Sequence, residues 1–190
     1  REKGNYFFVS EFAANNDGNY FNKVVISAWE KYEKILSEDK ALDFDDLLLK
    51  SAKLLEGNPQ VLAHYQDIWK YVHIDEYQDT NKVQYMIWKL LSRKNKNIAV
   101  VGDVDQTIYS WRGANIENIM NFEKDYPDAK VVLLEQNYRS TQNILAAANT
   151  IIAKNVFRKD KNLFTKNEEG EKIALYGGFD ETDEANFISN

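Results

Sequence analysis

The chain of 190 residues contains no cysteine, so these residues can form neither a disulfide framework nor a thiolate metal site. Its two histidines, His64 and His73, are too few and too separated for a histidine-based metal centre. No apolar run approaches the roughly 20 residues that a membrane-spanning helix needs, and no basic-then-apolar leader opens the chain. Excess positive charge is also missing: the formal net charge is -6, which argues against a simple basic nucleic-acid-binding domain. Any nucleic-acid contact must come from a local patch and from stacking, or from parts outside these residues. None of the eight glycines is followed by Lys-Ser or Lys-Thr, so the loop G-x-x-x-x-G-K-[ST] that cradles nucleotide phosphates is absent. No internal repeat or low-complexity tract is visible.

What is present is the composition of a globular protein, 44% hydrophobic and 28% charged. The organising stretch runs from Tyr71 to Asn81. Tyr71-Val-His-Ile74 reads as a short apolar strand, and Asp75 and Glu76 follow at once. A helix over 81–93 then carries Val83, Met86, Ile87, Leu90 and Leu91 on one face. A basic turn at 93–97 leads to a second apolar strand, 98–101, and then Gly102-Asp103. This is a βαβ unit with parallel strands and a right-handed crossover. Ligands bind at the carboxyl edge of such sheets. A carboxylate there can hold Mg²⁺ on a nucleotide, and a second can orient a water for attack on phosphate. The same pair also fits a strand-to-helix turn with solvated acids.

The flanking segments read as follows. Residues 1–22 are polar and aromatic, with a turn at 15–18. A helix from Val25 buries Val25, Ala28, Trp29, Tyr32 and Leu36. Asp43 caps a helix with Asp46 in its first turn; Phe44, Leu47, Leu48, Ala52 and Leu55 form its stripe, and Gly57 ends it. Asn58-Pro59 starts another helix. Residues 104–114 lack a clean period but gather Gln106, Tyr109, Trp111 and Arg112. Rings and a guanidinium on a loop suit stacking on unpaired bases and contact with phosphate, although buried aromatics are the commoner case. A helix through Ile116, Ile119 and Met120 runs toward Tyr126-Pro127. Further strands are expected at 130–134 and 173–176, an irregular link at 155–171, and helices begin after Ser140 or Thr141 and at Thr182 or Asp183. The first of these helices places Ile144, Leu145, Ala148, Ile151 and Ile152 inward. Arg1 stands where Met would open a complete chain and the last residues read as an interrupted helix, so a piece of a longer protein is expected.

Three stretches, Asp75-Glu-Tyr-Gln-Asp-Thr-Asn81, Val101-Gly-Asp-Val-Asp-Gln-Thr-Ile-Tyr-Ser-Trp-Arg-Gly-Ala114 and Leu134-Glu-Gln-Asn-Tyr-Arg-Ser-Thr141, resemble successive motifs of superfamily 1 DNA helicases of the UvrD/Rep/PcrA type. Leu42-Asp-Phe-Asp-Asp-Leu-Leu48 also matches that family, and the resemblance runs from about residue 24 to the end. It implies an α/β fold: part of a P-loop NTPase (RecA-like) motor core with a parallel sheet flanked by helices, plus a helical accessory segment. Residues 1–40 would end an accessory subdomain inserted in the first motor domain. Residues 41–137 would be the later part of that domain, and residues 138–190 would open the second. The implied cofactors are ATP and Mg²⁺. Asp75 would bind Mg²⁺, Glu76 would activate the attacking water, and Gln106 would sense the γ-phosphate and link it to the DNA site. Arg139 would be an arginine finger and Tyr138 would stack on adenine. Tyr109 and Trp111 would stack on single-stranded bases, supported by Arg112. The implied partners are single-stranded DNA, duplex junctions and repair or replication proteins, with no membrane; the implied polarity is 3′ to 5′, in the cytoplasm and on the nucleoid of a bacterium. A helicase–nuclease of the RecB/AddA type, or a non-catalytic nucleic-acid or protein interaction module, are the other readings. Without the phosphate loop the chain holds half of an ATP site, and by itself it is expected neither to hydrolyse ATP nor to unwind DNA.

Overall fold

A computed structural model describes residues 2–16, 18–155 and 161–189. They form two compact units, Arg1–Ala129 and Lys130–Asn190. The first is built from α1 (Val9–Asn16), α2 (Tyr20–Glu38), α3 (Phe44–Gly57), α4 (Pro59–Ile68), β1 (Val72–Ile74), α5 (Lys82–Ser92), β2 (Ile98–Val100), α6 (Glu117–Met120) and α7 (Phe122–Asp125). The second holds β3 (Gln136–Asn137), α8 (Gln142–Ile152), β4 (Phe164–Thr165) and α9 (Glu181–Ser189). Each unit contains one parallel strand pair: β1 with β2, in the register Val72–Ile98 to Ile74–Val100, and β3 with β4. The chain is thus α/β, with small parallel sheets among helices.

Local chemistry sets the helix starts. The Asp43 carboxylate accepts the Asp46 N–H at 2.7 Å, satisfying an otherwise orphaned donor at the start of α3. Pro59 opens α4, where its missing N–H costs nothing. Asn81 and Gln84 exchange two 2.9 Å bonds at the start of α5, a reciprocal cap that fixes where the chain leaves the acidic turn. The core forms where α3 meets α5: Leu49, Ala52 and Leu55 pack with Val83, Ile87 and Leu91, flanked by Val61, Leu62 and Tyr65 of α4 and Val72 of β1. The strand pair alone would be marginal in water; this helical layer supports it.

Several sequence-based expectations change. Within residues 1–22, described except for 1 and 17, the chain is ordered: a helical turn at Lys3–Asn5 and the helix α1. The turn expected at 15–18 does separate α1 from α2, with residue 17 outside the described residues. The helix expected from Val25 starts at Tyr20, capped by Asn19. In α3 the buried stripe is Asp46, Leu49, Ala52 and Leu55, whereas Phe44 is 90% exposed and Leu47 also lies outward. The helix expected through 116–126 is two short turns, α6 and α7, broken at Asn121. Residues 130–134 and 173–176 form no ladder among the described residues, and Val132, Leu134, Ile173 and Leu175 are exposed. Their β-branched and apolar content favours an extended chain, but a strand also needs a hydrogen-bonding neighbour. Within 155–171, Phe164–Thr165 pairs as β4, while residues 156–160 lie outside the described residues. In α8 only Leu145 is fully buried; Ile144, Ala148 and Ile151 are exposed.

The early turn buries Lys3, whose ammonium meets Glu33 of α2 at 2.5 Å, Asp43 at 2.8 Å and Asp46 at 2.9 Å. Burial works against the Lys3 charge, but the carboxylates of Asp43, Glu33 and Asp46 outweigh it and hold the ammonium above its ordinary range. Burial likewise opposes ionisation of Asp43, yet the bonds from Lys3 and the Asp46 N–H prevail, and its carboxyl titrates below the ordinary value of 3.8. Folded Asp43 therefore releases its proton at a lower pH than unfolded Asp43. Its stabilising contribution is complete above about pH 4 and is lost as the pH falls through the depressed value. Urea unfolding followed from about pH 5 to about pH 3 is expected to show the midpoint falling, and Asp43→Asn, which keeps a capping oxygen, should flatten that fall. An unchanged slope in the variant would remove Lys3–Asp43 as the source.

Candidate ATP and DNA site

At the carboxyl end of β1 the backbone turns sharply. Val101 donates to the Ile74 carbonyl at 2.8 Å and Tyr77 donates to the Val101 carbonyl at 2.9 Å, extending the strand pairing on either side of Asp75 and Glu76. Between these anchors Glu76 adopts a left-handed conformation, φ 48° and ψ 44°. The Glu76 N–H donates to Asp75 Oδ1 at 2.9 Å. Both acids are exposed, while Tyr77 and Gln78 behind them are buried.

A chain of hydrogen bonds joins this turn to the end of β2. Gln78 Nε2 donates to Glu76 Oε2 at 2.7 Å. Gln78 Oε1 accepts the Asp103 N–H at 3.0 Å. The Asp103 carboxylate accepts the Asp105 N–H at 3.0 Å and Gln106 Nε2 at 2.8 Å. Asp75, Glu76 and Gln106 are thus brought together through Gln78, to which no role was given from sequence, and Asp103, which the sequence places at the end of the second strand. A Cβ on Gly102 would lie 2.7 Å from Gln78 Oε1 and 3.3 Å from the Tyr77 nitrogen, so the close approach of the two strand ends needs glycine there.

Beyond Gln106 the chain makes a tight turn at Ser110–Arg112, closed by Gly113 in the left-handed region at φ 96°. Tyr109 and Trp111 are 37% and 66% exposed, so neither is a core residue. Their ring centroids are 6.4 Å apart, and the Arg112 guanidinium lies 4.7 Å from the Trp111 centroid and 5.3 Å from that of Tyr109. Such cation–π contacts hold the guanidinium beside the rings, each worth about 0.5–1 kcal/mol at exposed positions. The turn is tied back to the acidic segment. Asn115 N–H donates to the Thr80 carbonyl at 3.0 Å, and buried Asn118 donates to the same carbonyl at 3.0 Å and to Thr80 Oγ1 at 3.1 Å. Thr80 in turn donates to the Tyr77 carbonyl at 2.7 Å.

Tyr138 and Arg139 belong to the second unit. Asn137 Oδ1 accepts the N–H of Arg139 at 3.0 Å and of Ser140 at 2.7 Å, while Asn167 Nδ2 donates to the carbonyls of Tyr138 at 3.2 Å and Ser140 at 3.0 Å. Two asparagine amides therefore fix the backbone while both side chains point outward, Tyr138 being 77% exposed.

The donor set suits Mg²⁺. It is a hard cation that binds through one or two carboxylates plus substrate phosphates rather than in an all-protein cage, and Asp75 offers an exposed carboxylate beside Glu76. The one cluster of three acids among the described residues, Glu33, Asp43 and Asp46, already has the Lys3 ammonium at its centre, paired with all three.

An acidic strand end, a hydrogen-bonded glutamine at the next strand end and an exposed aromatic pair with its arginine, in this order, define a class. Residues 2–127 match the UvrD/REP helicase N-terminal domain and residues 132–190 match the UvrD-like helicase C-terminal domain. The chain belongs to the UvrD/REP helicase family. Among its relatives, "ATP-dependent DNA helicase PcrA" of Bacillus subtilis is 52% identical over 90% of this chain and 23% of the relative. The protein of the same name from Staphylococcus aureus is 53% identical over 90% of this chain and 23% of its own length. That of Staphylococcus epidermidis is 50% identical over 94% and 24%. The chain spans about a quarter of the length of the curated relatives it matches. No helix among the described residues is long and apolar enough to cross a membrane.

Proposed function

We propose that this chain is the central part of the motor of an ATP-dependent DNA helicase that translocates 3′ to 5′ on single-stranded DNA and opens duplex junctions during repair or replication. In the bacterial cell it would work in the cytoplasm, on the nucleoid. The observation that carries this reading is the hydrogen-bonded line Glu76–Gln78–Asp103–Gln106 across the carboxyl ends of β1 and β2, in a chain of this family. Residues 1–40 end the accessory subdomain, residues 41–137 complete a first RecA-like motor domain and residues 138–190 begin the second.

In this reading Asp75 holds Mg²⁺, which neutralises phosphate charge when bound. Glu76 takes a proton from the water as that water forms a bond to the γ-phosphorus. The bond from phosphorus to the bridging oxygen breaks, and ADP leaves. Gln106 contacts the γ-phosphate, Arg139 stabilises charge on the transferring phosphoryl group, and Tyr138 stacks on adenine. Tyr109 and Trp111 stack on bases, with Arg112 beside them. Stacking suits a motor on arbitrary sequence, because every base offers a π-face. The presence of Asp75, Glu76, Gln106 and Arg139 together favours a working motor over a non-catalytic binding module.

A titration of the full-length parent with fluorescent oligonucleotides tests the DNA half. Trp111→Ala is expected to weaken binding by about 5- to 150-fold, the equivalent of about 1–3 kcal/mol for one stacked base. The loss should be equal for oligo-dT and for mixed sequence. Undiminished affinity would remove Trp111 from the DNA track.

A further inference from the structure

We infer that Gln78 is a positioning residue for hydrolysis: its carboxamide ties the Glu76 carboxylate to the Asp103–Gln106 turn, so that the base and the γ-phosphate contact keep one fixed spacing. This inference rests on the ATPase reading above.

The geometry admits one orientation of the amide. Gln78 is 1% exposed, and its oxygen and nitrogen face opposite partners: a backbone N–H at Asp103 and a carboxylate oxygen of Glu76. Flipping the amide would set oxygen against carboxylate and N–H against N–H, so the assignment follows from the partners. The amide oxygen sits where a side chain at position 102 would begin, 2.7 Å from the place of a Cβ, so Gly102 makes room for it. Glu76, by contrast, is an exposed side chain on a left-handed turn, and the amide of Gln78 is a side-chain partner that fixes where its carboxylate points. At the other end, Asp103 holds Gln106 by its side chain while its own N–H is held by Gln78. One buried amide therefore sets two exposed groups, in the turns beyond different strands, relative to each other. Gln78 itself is too deeply covered to touch substrate.

Catalysis by a positioned base is sensitive to such support, since a displacement of about 1 Å can cost about 10²-fold in rate. In the full-length parent, Gln78→Met, which keeps apolar volume but neither bond, is expected to lower kcat for DNA-stimulated ATP hydrolysis by about 10- to 100-fold with KM for ATP little changed. Placed on Glu76→Gln, where no base remains to be positioned, the same substitution should add almost nothing. Gln78→Glu retains side-chain shape and the acceptor for the Asp103 N–H but turns an oxygen toward Glu76; it should lose as much, and it supplies the answer where Gln78→Met does not accumulate as folded protein. Wild-type kcat in both variants overturns the inference. So does an equal loss in the presence and absence of Glu76, which would mark Gln78 as a support of the fold alone. If the unsubstituted parent hydrolyses no ATP with single-stranded DNA present, the ATPase reading itself fails; if it does and Gln78 is indifferent, only the positioning role fails.

Discussion

Arg139→Ala in the full-length parent is expected to slow DNA-stimulated ATP hydrolysis by about 10³–10⁵-fold, the range over which an arginine finger acts in phosphoryl transfer. In the second unit Asn137 and Asn167 clamp the backbone around Arg139, and its side chain is exposed. Arg139→Lys keeps the charge but not the planar, two-pronged donor, and most of the loss should remain. Binding of single-stranded DNA without nucleotide should be unaffected, because the proposed stacking residues lie in the other unit. Turnover within a small factor of wild type in Arg139→Ala would show that charge on the transferring group is stabilised elsewhere.

Glu76→Gln should reduce kcat by about 10²–10⁴-fold, the usual contribution of a positioned base. The amide replaces the carboxylate with nearly the same shape, and its oxygen can still accept from Gln78 Nε2 at the 2.7 Å position. Geometry is thereby kept while the capacity to take a proton from water is lost. ATP should still bind, so filter binding of labelled nucleotide ought to match wild type as hydrolysis falls. Hydrolysis at the normal rate would assign proton removal to another group.

Much of the arrangement around these residues is legible in the sequence because short-range chemistry dictates it. Asp43 announces its helix by capping, the helix from residue 81 shows in its apolar face, and the apolar runs before Asp75 and Asp103 pair in parallel. Periodicity failed in α3, where leucines occupy several faces and Phe44 offers a tempting stripe that the structure leaves exposed. It failed again at 130–134 and 173–176, because a run of β-formers says nothing about whether a partner strand is at hand. Lys3 gave no signal at all: a buried lysine is acceptable only when acids far along the chain converge on it, as Glu33, Asp43 and Asp46 do. Gln78 was read as part of a motif, but its bridging role depends on a partner 25 positions later. Asp75 and Glu76 could be placed at a strand end from sequence, and Gln106 on the segment that follows the next strand; the side-chain bonds that connect them could not.

The left-handed bend at Glu76 has a thermodynamic side. An L-residue with a side chain is strained at φ 48°, at a cost of order 1–3 kcal/mol, and glycine would sit there more comfortably. Folding alone would therefore favour losing this carboxylate. The chain keeps this acid on the uphill side of its own stability, with Tyr77 and Val101 supplying the surrounding bonds that hold the bend in place.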